Sequence, residues 1–395
     1  MDHAESQPPR LSLMALFLRF LRFGALAFGG PVAQIAMIRR ELVEDERWID
    51  GARFNRLLAV MQVLPGPEAH ELCVHLGIKA RGRVGGMLAG LGFMLPGLLL
   101  MLLCAWVYAE FAGRSSTLTA VFIGVQATVL AVIIRAVHRI GEHILAGPAL
   151  WCIAVAAALA TWAGVTFWII LTAAGLAYAA IASRRWLVVT LIAALVSVAA
   201  LLFRDGSAAT GVTALASTTA TTFALFVAGL KGGLLTFGGA YTAIPFVRAD
   251  TVGRGWATDA QFLDGVGLAN VLPAPLVIFA TFVGWMSGGL IGALAVTAGM
   301  FLPAFGFSMV FYERVEALIE DQRLHTLLTG VAAAVVGMIA VTAVQLGMAA
   351  VANSPGVPVS VGLFAAALAV VYVWKSRFSA PAVLGFGAIS AALIL

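Results

Sequence analysis

LAFGGPVAQI at Leu26–Ile35 and LTFGGAYTAI at Leu235–Ile244 are two versions of one decapeptide, with Phe28 and Phe237 offset by 209 residues. A second pair follows in the same order. VLPGP at Val63–Pro67 matches VLPAP at Val271–Pro275, an offset of 208, and Trp48 and Phe54 match Trp256 and Phe262 at that same offset. Leu95-Pro96 matches Leu302-Pro303 at 207. Conserved order with a drift of two residues identifies two copies of one unit. The expected organisation is a first repeat over 1–183, a linking transmembrane helix and loop over 184–216, and a second repeat over 217–395.

Composition says what solvent surrounds those copies. The 395 residues are 62% hydrophobic and only 11% charged, and mean hydropathy is +1.00. A soluble domain carries about 45–50% apolar and about 25% charged residues, so hydrocarbon is the fitting solvent. Apolar segments read as helices are 11–29, 31–46, 53–80, 83–111, 115–140, 147–162, 165–182, 186–203, 217–238, 240–252, 259–286, 289–312, 322–348, 357–374 and 379–395. Segments 31–46 and 240–252 are too short or too polar to span about 30 Å of bilayer. Residues 11–46 either cross the membrane or form a re-entrant hairpin, and Arg19 and Arg22 favour the hairpin. Residues 1–10 are polar and no cleavage site follows, so no cleavable signal peptide is expected. Cys73, Cys104 and Cys152 have neither disulfide nor metal spacing and read as core packing.

Charge orients the copies. Loop 79–83 holds Lys79, Arg81 and Arg83, and loop 135–139 holds Arg135 and Arg139, whereas the counterparts near 286–289 and 349–358 are uncharged. Conversely, 163–165 is uncharged and its counterpart has Lys375 and Arg377. Arg184 and Arg185 add a further basic loop. Basic loops mark the cytoplasmic side, and that side switches between the copies, with 186–203 as the odd crossing. The fold class is therefore all-α: a polytopic membrane protein of two inverted-topology repeats with discontinuous, re-entrant helices. The net charge of +5 lies in short loops and gives no nucleic-acid patch.

Chemistry is expected at the breaks. Leu64-Pro65-Gly66-Pro67 and Leu272-Pro273-Ala274-Pro275 interrupt helical runs, because proline removes a donor and clashes with the preceding turn. Phe28-Gly29-Gly30-Pro31 and Phe237-Gly238-Gly239-Ala240 are the second pair. Each break starts a new helix whose free N–H groups and positive dipole end suit an anion. Gln62 and Asn270, at equivalent positions before the prolines, and Gln34, Thr236 and Thr242 near the glycine pairs, are candidate oxyanion contacts. Glu68 and His70 are candidate proton carriers, and Lys231 is a cation inside an apolar run. Arg39 and Arg248, equivalent across the repeat, are either binding-site cations or surface ion-pair members beside Glu41 or Asp250, the surface reading being preferred. Gly82, Gly86 and Gly90, like Gly288 and Gly292, read as packing ridges. His70 and His75 are five apart, about 140° around a helix, which excludes the zinc-protease motif they superficially suggest. No cofactor or metal is expected. An intramembrane enzyme would need a nucleophile and base, or a metal cluster, at one depth, and none is apparent in the sequence.

Three strings carry a likeness: FGGPVAQIAMIRRELVEDERWI at Phe28–Ile49, LPGPEA at Leu64–Ala69, and the glycine-rich segment ending Phe93-Met94-Leu95-Pro96-Gly97. They resemble the chromate ion transporter (CHR) family in its long, two-domain form. The resemblance implies a secondary transporter of the bacterial inner membrane that exports chromate and confers resistance to it, driven by protons or the membrane potential, with sulfate as a competitor. It carries Phe28, Gly29, Gly30, Pro31, Pro65, Gly66, Pro67 and Glu68 as matching positions. Ala240 and Ala274 depart from the pattern in the second copy. The expected partners are a chromate- or sulfate-like anion and the lipid bilayer, with a homodimer compatible with such a chain.

Overall fold

A computed structural model describes residues 8–9, 11–61, 66–202, 219–237, 239–310, 312, 322–352, 354, 356–374, 376 and 378–394. Gln62, Pro65 and Gly238, with Lys375, Arg377 and most of 313–323, lie outside the described residues. Every element among those described is helical. The first half contains α1 (Leu13–Ala25), α2 (Gly30–Arg39), α3 (Gly51–Met61), α4 (Glu68–Phe111), α5 (Ser116–Ile144), α6 (Pro148–Trp162) and α7 (Phe167–Ala182). After α8 (Trp186–Leu202), the second half repeats the order: α9 (Thr222–Leu234), α10 (Ile244–Thr251), α11 (Asp259–Val271), α12 (Phe279–Val310), α13 (Gln322–Ala352), α14 (Val357–Val373) and α15 (Ser379–Ile394).

Both proline breaks are real interruptions. In the first half α3 ends at Met61 and α4 starts at Glu68, with Gly66 at φ +149° and Pro67 extended. In the second, α11 ends at Val271, and a short 3-10 turn, Leu276–Ile278, leads into α12. The glycine breaks use backbone that favours glycine. Gly29 and Gly30 have φ of +87° and +76°, and Gly239 has +138° ahead of a 3-10 turn at Ala240–Ala243.

Two expectations shift. Arg81 and Gly82 leave helical geometry, as do Gly288 and Gly289. α4 and α12 are thus helical hairpins, and Gly82, with φ +65°, makes the turn rather than a packing ridge. Gly86 and Gly90 do pack: a Cβ on Gly86 would lie 2.4 Å from Ile78 and one on Gly90 2.4 Å from Phe305. The arms close on glycine, since a Cβ on Gly77 would lie 2.5 Å from the Gly85 carbonyl and one on Gly292 2.5 Å from the Gly284 carbonyl. Second, Arg135 and Arg139 are not in a loop, because α5 continues to Ile144.

α1 has 13 residues, about 20 Å at 1.5 Å per residue, too short to span on its own. It lies against the second arm of α4, where Gly24 meets the Phe93 carbonyl and Gly92 meets the Phe17 carbonyl. Arg19 pairs with Glu46 and stacks on Trp48, and Arg22 reaches Glu41 at 3.2 Å. These pairs clamp α1 to a π-turn, Arg40–Asp45, that extends α2. Asp50 accepts the Arg53 N–H at 3.0 Å ahead of α3, which holds its carboxyl below the usual range.

The halves exchange partners. α5 packs on α14 and α15 of the other copy, and its counterpart α13 packs on α6 and α7 of the first. Neither half is self-contained in this packing. The outer surface is apolar, with Trp106, Trp162, Trp168, Trp186 and Trp374 exposed near helix ends, where interfacial tryptophans sit in membrane proteins. Cys73 is buried in the core, but Cys152 is exposed on α6, so the core-packing expectation fails there.

Candidate functional site

The four breaks meet. Pro31, Gln34, Pro67, Glu68, Ala69, Gly239, Ala240, Pro275 and Leu276 line one small cavity of about 10 Å³, room for about one water. Each wall is the first turn of a helix or 3-10 turn: α2 at Pro31, α4 at Pro67–Ala69, the turn before α10 at Ala240, and the turn before α12 at Leu276. The leading N–H groups of a helix lack intrahelical acceptors, and its dipole places partial positive charge there. The junction therefore concentrates backbone donors from both halves.

Backbone and one amide tie the junction together. The Gly66 N–H donates to the Thr236 carbonyl at 2.9 Å. The repeat counterparts of those two residues, Ala274 and Ala27, face each other across Gln34, whose Nε2 donates to both carbonyls at 2.8 and 2.9 Å. What is a direct bond between one pair of residues is a glutamine bridge between their sequence counterparts. Both Gln34 N–H groups are therefore occupied, and its buried Oε1 is the atom without a partner among the described residues.

The remaining sequence candidates sort by environment. Glu68 heads α4, is 7% exposed and lines the junction cavity. His70 lies deeper, fully buried among Phe93, Phe301 and Phe305, while His75 stacks on Tyr312 at 4.5 Å. Asn270 does not lie at the small cavity. It accepts from the Tyr241 hydroxyl at 2.6 Å and donates to the Val266 carbonyl at 2.8 Å. The Thr236 hydroxyl donates to the Gly232 carbonyl at 2.6 Å and that of Thr242 to the Gly239 carbonyl at 2.6 Å, so both close their own turns. Lys231 is bound to Asp250 at 3.2 Å, away from the junction. Arg248 forms a two-pronged pair with Asp259, at 2.7 and 3.0 Å, and donates to Gln345. It is buried, not a surface residue as expected, because α10 tucks beneath α13. Arg39 stays exposed beside Glu44.

Two buried acids stand apart: Glu71, one of the acids and histidines that follow the first proline break in the sequence, and Asp264, which the sequence reading passed over. Glu71 is fully buried with both carboxylate oxygens unpartnered among the described residues, and Gly66 leaves room for it: a Cβ there would lie 2.3 Å from Oε1. Asp264 accepts from Tyr108 at 2.8 Å and Gln126 at 2.9 Å. An acid inside the apolar run 259–286 is itself a signal. Among the described residues no group of three His, Cys, Asp or Glu is placed to hold a metal.

A second cavity, of about 460 Å³, opens beside the junction. Gly29, Gly30, Pro31, Tyr241, Asn270 and Leu276 line it together with Arg135, Arg139, Trp374, Ser376 and Ser379. Pro31 and Leu276 line both cavities.

The sequence profile described as "Chromate transporter" matches residues 14–180 and 223–393. A chromate transport protein of Pseudomonas aeruginosa is 57% identical over 95% of this chain and 91% of its own length. One from Cupriavidus metallidurans is 30% identical, covering 88% of this chain and 86% of its own. A probable chromate transport protein of Synechococcus elongatus is 29% identical over 88% of each. No solved structure matches the chain.

Proposed function

Since this chain belongs to the chromate transporter family, a family of multi-pass membrane transporters and not of enzymes, we propose that it exports chromate across the inner membrane and that the four-helix-start junction is the binding site. The observation that carries the reading is the convergence of first turns from both halves on one cavity. Discontinuous helices in matching positions of two repeats are where secondary transporters bind ions, and helix starts suit a tetrahedral oxyanion. Export fits the energetics. An inside-negative potential contributes about 2.3 kcal/mol per charge per 100 mV, so a dianion moving outward gains about twice that.

The inverted relation of the halves is part of the proposal. Its support is directional. α6 starts where α5 ends, so it runs back along the bundle. Its counterpart α14 runs alongside α5: Leu363 lies by Ala127, Val371 by Val132 and Tyr372 by His138. Equivalent helices that point opposite ways fit an axis in the membrane plane. Glu68 at the junction fits proton exchange with the anion, because a carboxylate and a dianion compete for the same donors.

Cells expressing the chain should accumulate less radiolabelled chromate than cells without it, and Pro67→Ala or Gly30→Ala should reduce the difference. Equal accumulation with the protein present in the membrane would overturn the reading. Sulfate shares the charge and shape of chromate. An anion panel on proteoliposomes would rank the two, and sulfate preferred over chromate would reassign the substrate.

A further inference from the structure

We propose that Arg139, with Arg135, forms a dianion-capture site in the 460 Å³ cavity, a first station at which the tetrahedral anion is held before it enters the junction. The inference rests on the oxyanion reading above and adds the residues that recruit the substrate.

Three observations carry it. The first is charge. Arg135 and Arg139 are four apart on α5, hence on one helix face, and among the described residues the cavity has no acidic residue in its lining. Arg135 is held in place: it stacks on Tyr372 at 4.8 Å and lies 3.3 Å from His138 Nδ1, with Glu142 at 4.0 Å. Arg139 has no hydrogen-bond or ion-pair partner among the described residues, so its guanidinium is available to a ligand.

The second is position. The cavity and the junction share Pro31 and Leu276 as a common wall, so an anion beside Arg139 is one partition from the helix starts. Tyr241 lines the cavity with Arg139, and Glu68 lines the junction with the two shared residues. Of the other polar side chains described along the cavity, the Ser376 hydroxyl and the second Asn270 N–H can donate to an anion, whereas the Tyr241 and Ser379 hydroxyls already donate to Asn270 Oδ1 and the Ser376 carbonyl.

The third is size. The junction cavity of about 10 Å³ must open to admit an oxyanion, whereas 460 Å³ has room for one with water around it. A cleft lined by one sign of charge raises local counter-ion concentration and on-rate, and the guanidinium fork matches oxyanion geometry. An anionic lipid headgroup offers the same phosphate-like chemistry, so the test separates the two.

The full-length protein is reconstituted in proteoliposomes of purely zwitterionic lipid, and initial rates of radiolabelled chromate transport are measured against concentration. Arg139→Gln is expected to raise KM about tenfold with Vmax within about twofold. Arg139→Lys should stay near wild type. Wild-type KM should rise with ionic strength, as screening dictates, and that of Arg139→Gln should rise less. An unchanged KM in Arg139→Gln, a loss confined to Vmax, or a wild-type KM indifferent to salt overturns the proposal. So does an effect that appears only when anionic lipid is added, which would assign the site to headgroups. A wild-type protein that moves no chromate removes the oxyanion reading itself, and this inference with it; a transporting wild type with unchanged KM in Arg139→Gln removes this inference alone.

Discussion

Gln34 joins carbonyls that are 247 positions apart in sequence, Ala27 and Ala274, through a single amide nitrogen. Its removal deletes two hydrogen bonds and leaves two buried acceptors, so Gln34→Ala should cost about 1–3 kcal/mol, read as a lower unfolding temperature of the detergent-solubilised protein. The glycines of the junction differ in what they tolerate. At Gly66, with φ +149°, a Cβ would sit 2.3 Å from Glu71 Oε1, so Gly66→Ala faces both strain and a clash and should abolish chromate export. Gly30 has open space around a Cβ, and Gly30→Ala meets only the left-handed penalty of about 1–2 kcal/mol. It should retain part of the export, with membrane levels near wild type by immunoblot. The sequence singled out Gly66, Gly30 and Gln34 as junction residues. It could not reveal that the Gln34 donors are occupied, because one of their acceptors lies in the other repeat, far along the chain.

At the scale of elements, the proline breaks were legible because two prolines in three residues leave a helix no way through. The hairpin turns at Gly82 and Gly289 were visible only as segment ends, since a glycine that packs and a glycine that turns have the same composition. The buried pair between Arg248 and Asp259 was not legible, as the charge pattern of 240–252 fits a solvated face equally well. It spans α10 and the start of α11 with side-chain exposures of 9% and 15%. Arg248→Ala leaves Asp259 buried without its cation and should destabilise by about 3–5 kcal/mol. The double variant Arg248→Met with Asp259→Leu should recover much of that loss. Thermal unfolding of the three variants tests this, and a double variant no more stable than the single one would show that the pair is not the cause.

Across the whole molecule, the exchange of α5 and α13 between halves makes each repeat incomplete alone. Chains ending and restarting within 203–218 should therefore co-purify when expressed together and transport chromate, while either half alone should be degraded. Two separately stable halves would contradict the reciprocal packing. The two-copy organisation could be read from matched motifs, and membrane residence from composition. The substrate could not be read from physics alone: helix starts suit any small oxyanion, and chromate enters through likeness to relatives. The basic cavity was hidden because Arg135 and Arg139 look like orienting charges in a line of sequence, and only the packing of α5 against α14 turns them towards the junction.

The most direct test is a structure of the full-length protein solved with chromate. A tetrahedral anion is expected between the first turns at Pro31, Glu68, Ala240 and Leu276, with backbone amides of both halves within hydrogen-bond distance. An anion bound elsewhere by protein that transports chromate, with the junction closed and empty in every state, would contradict it.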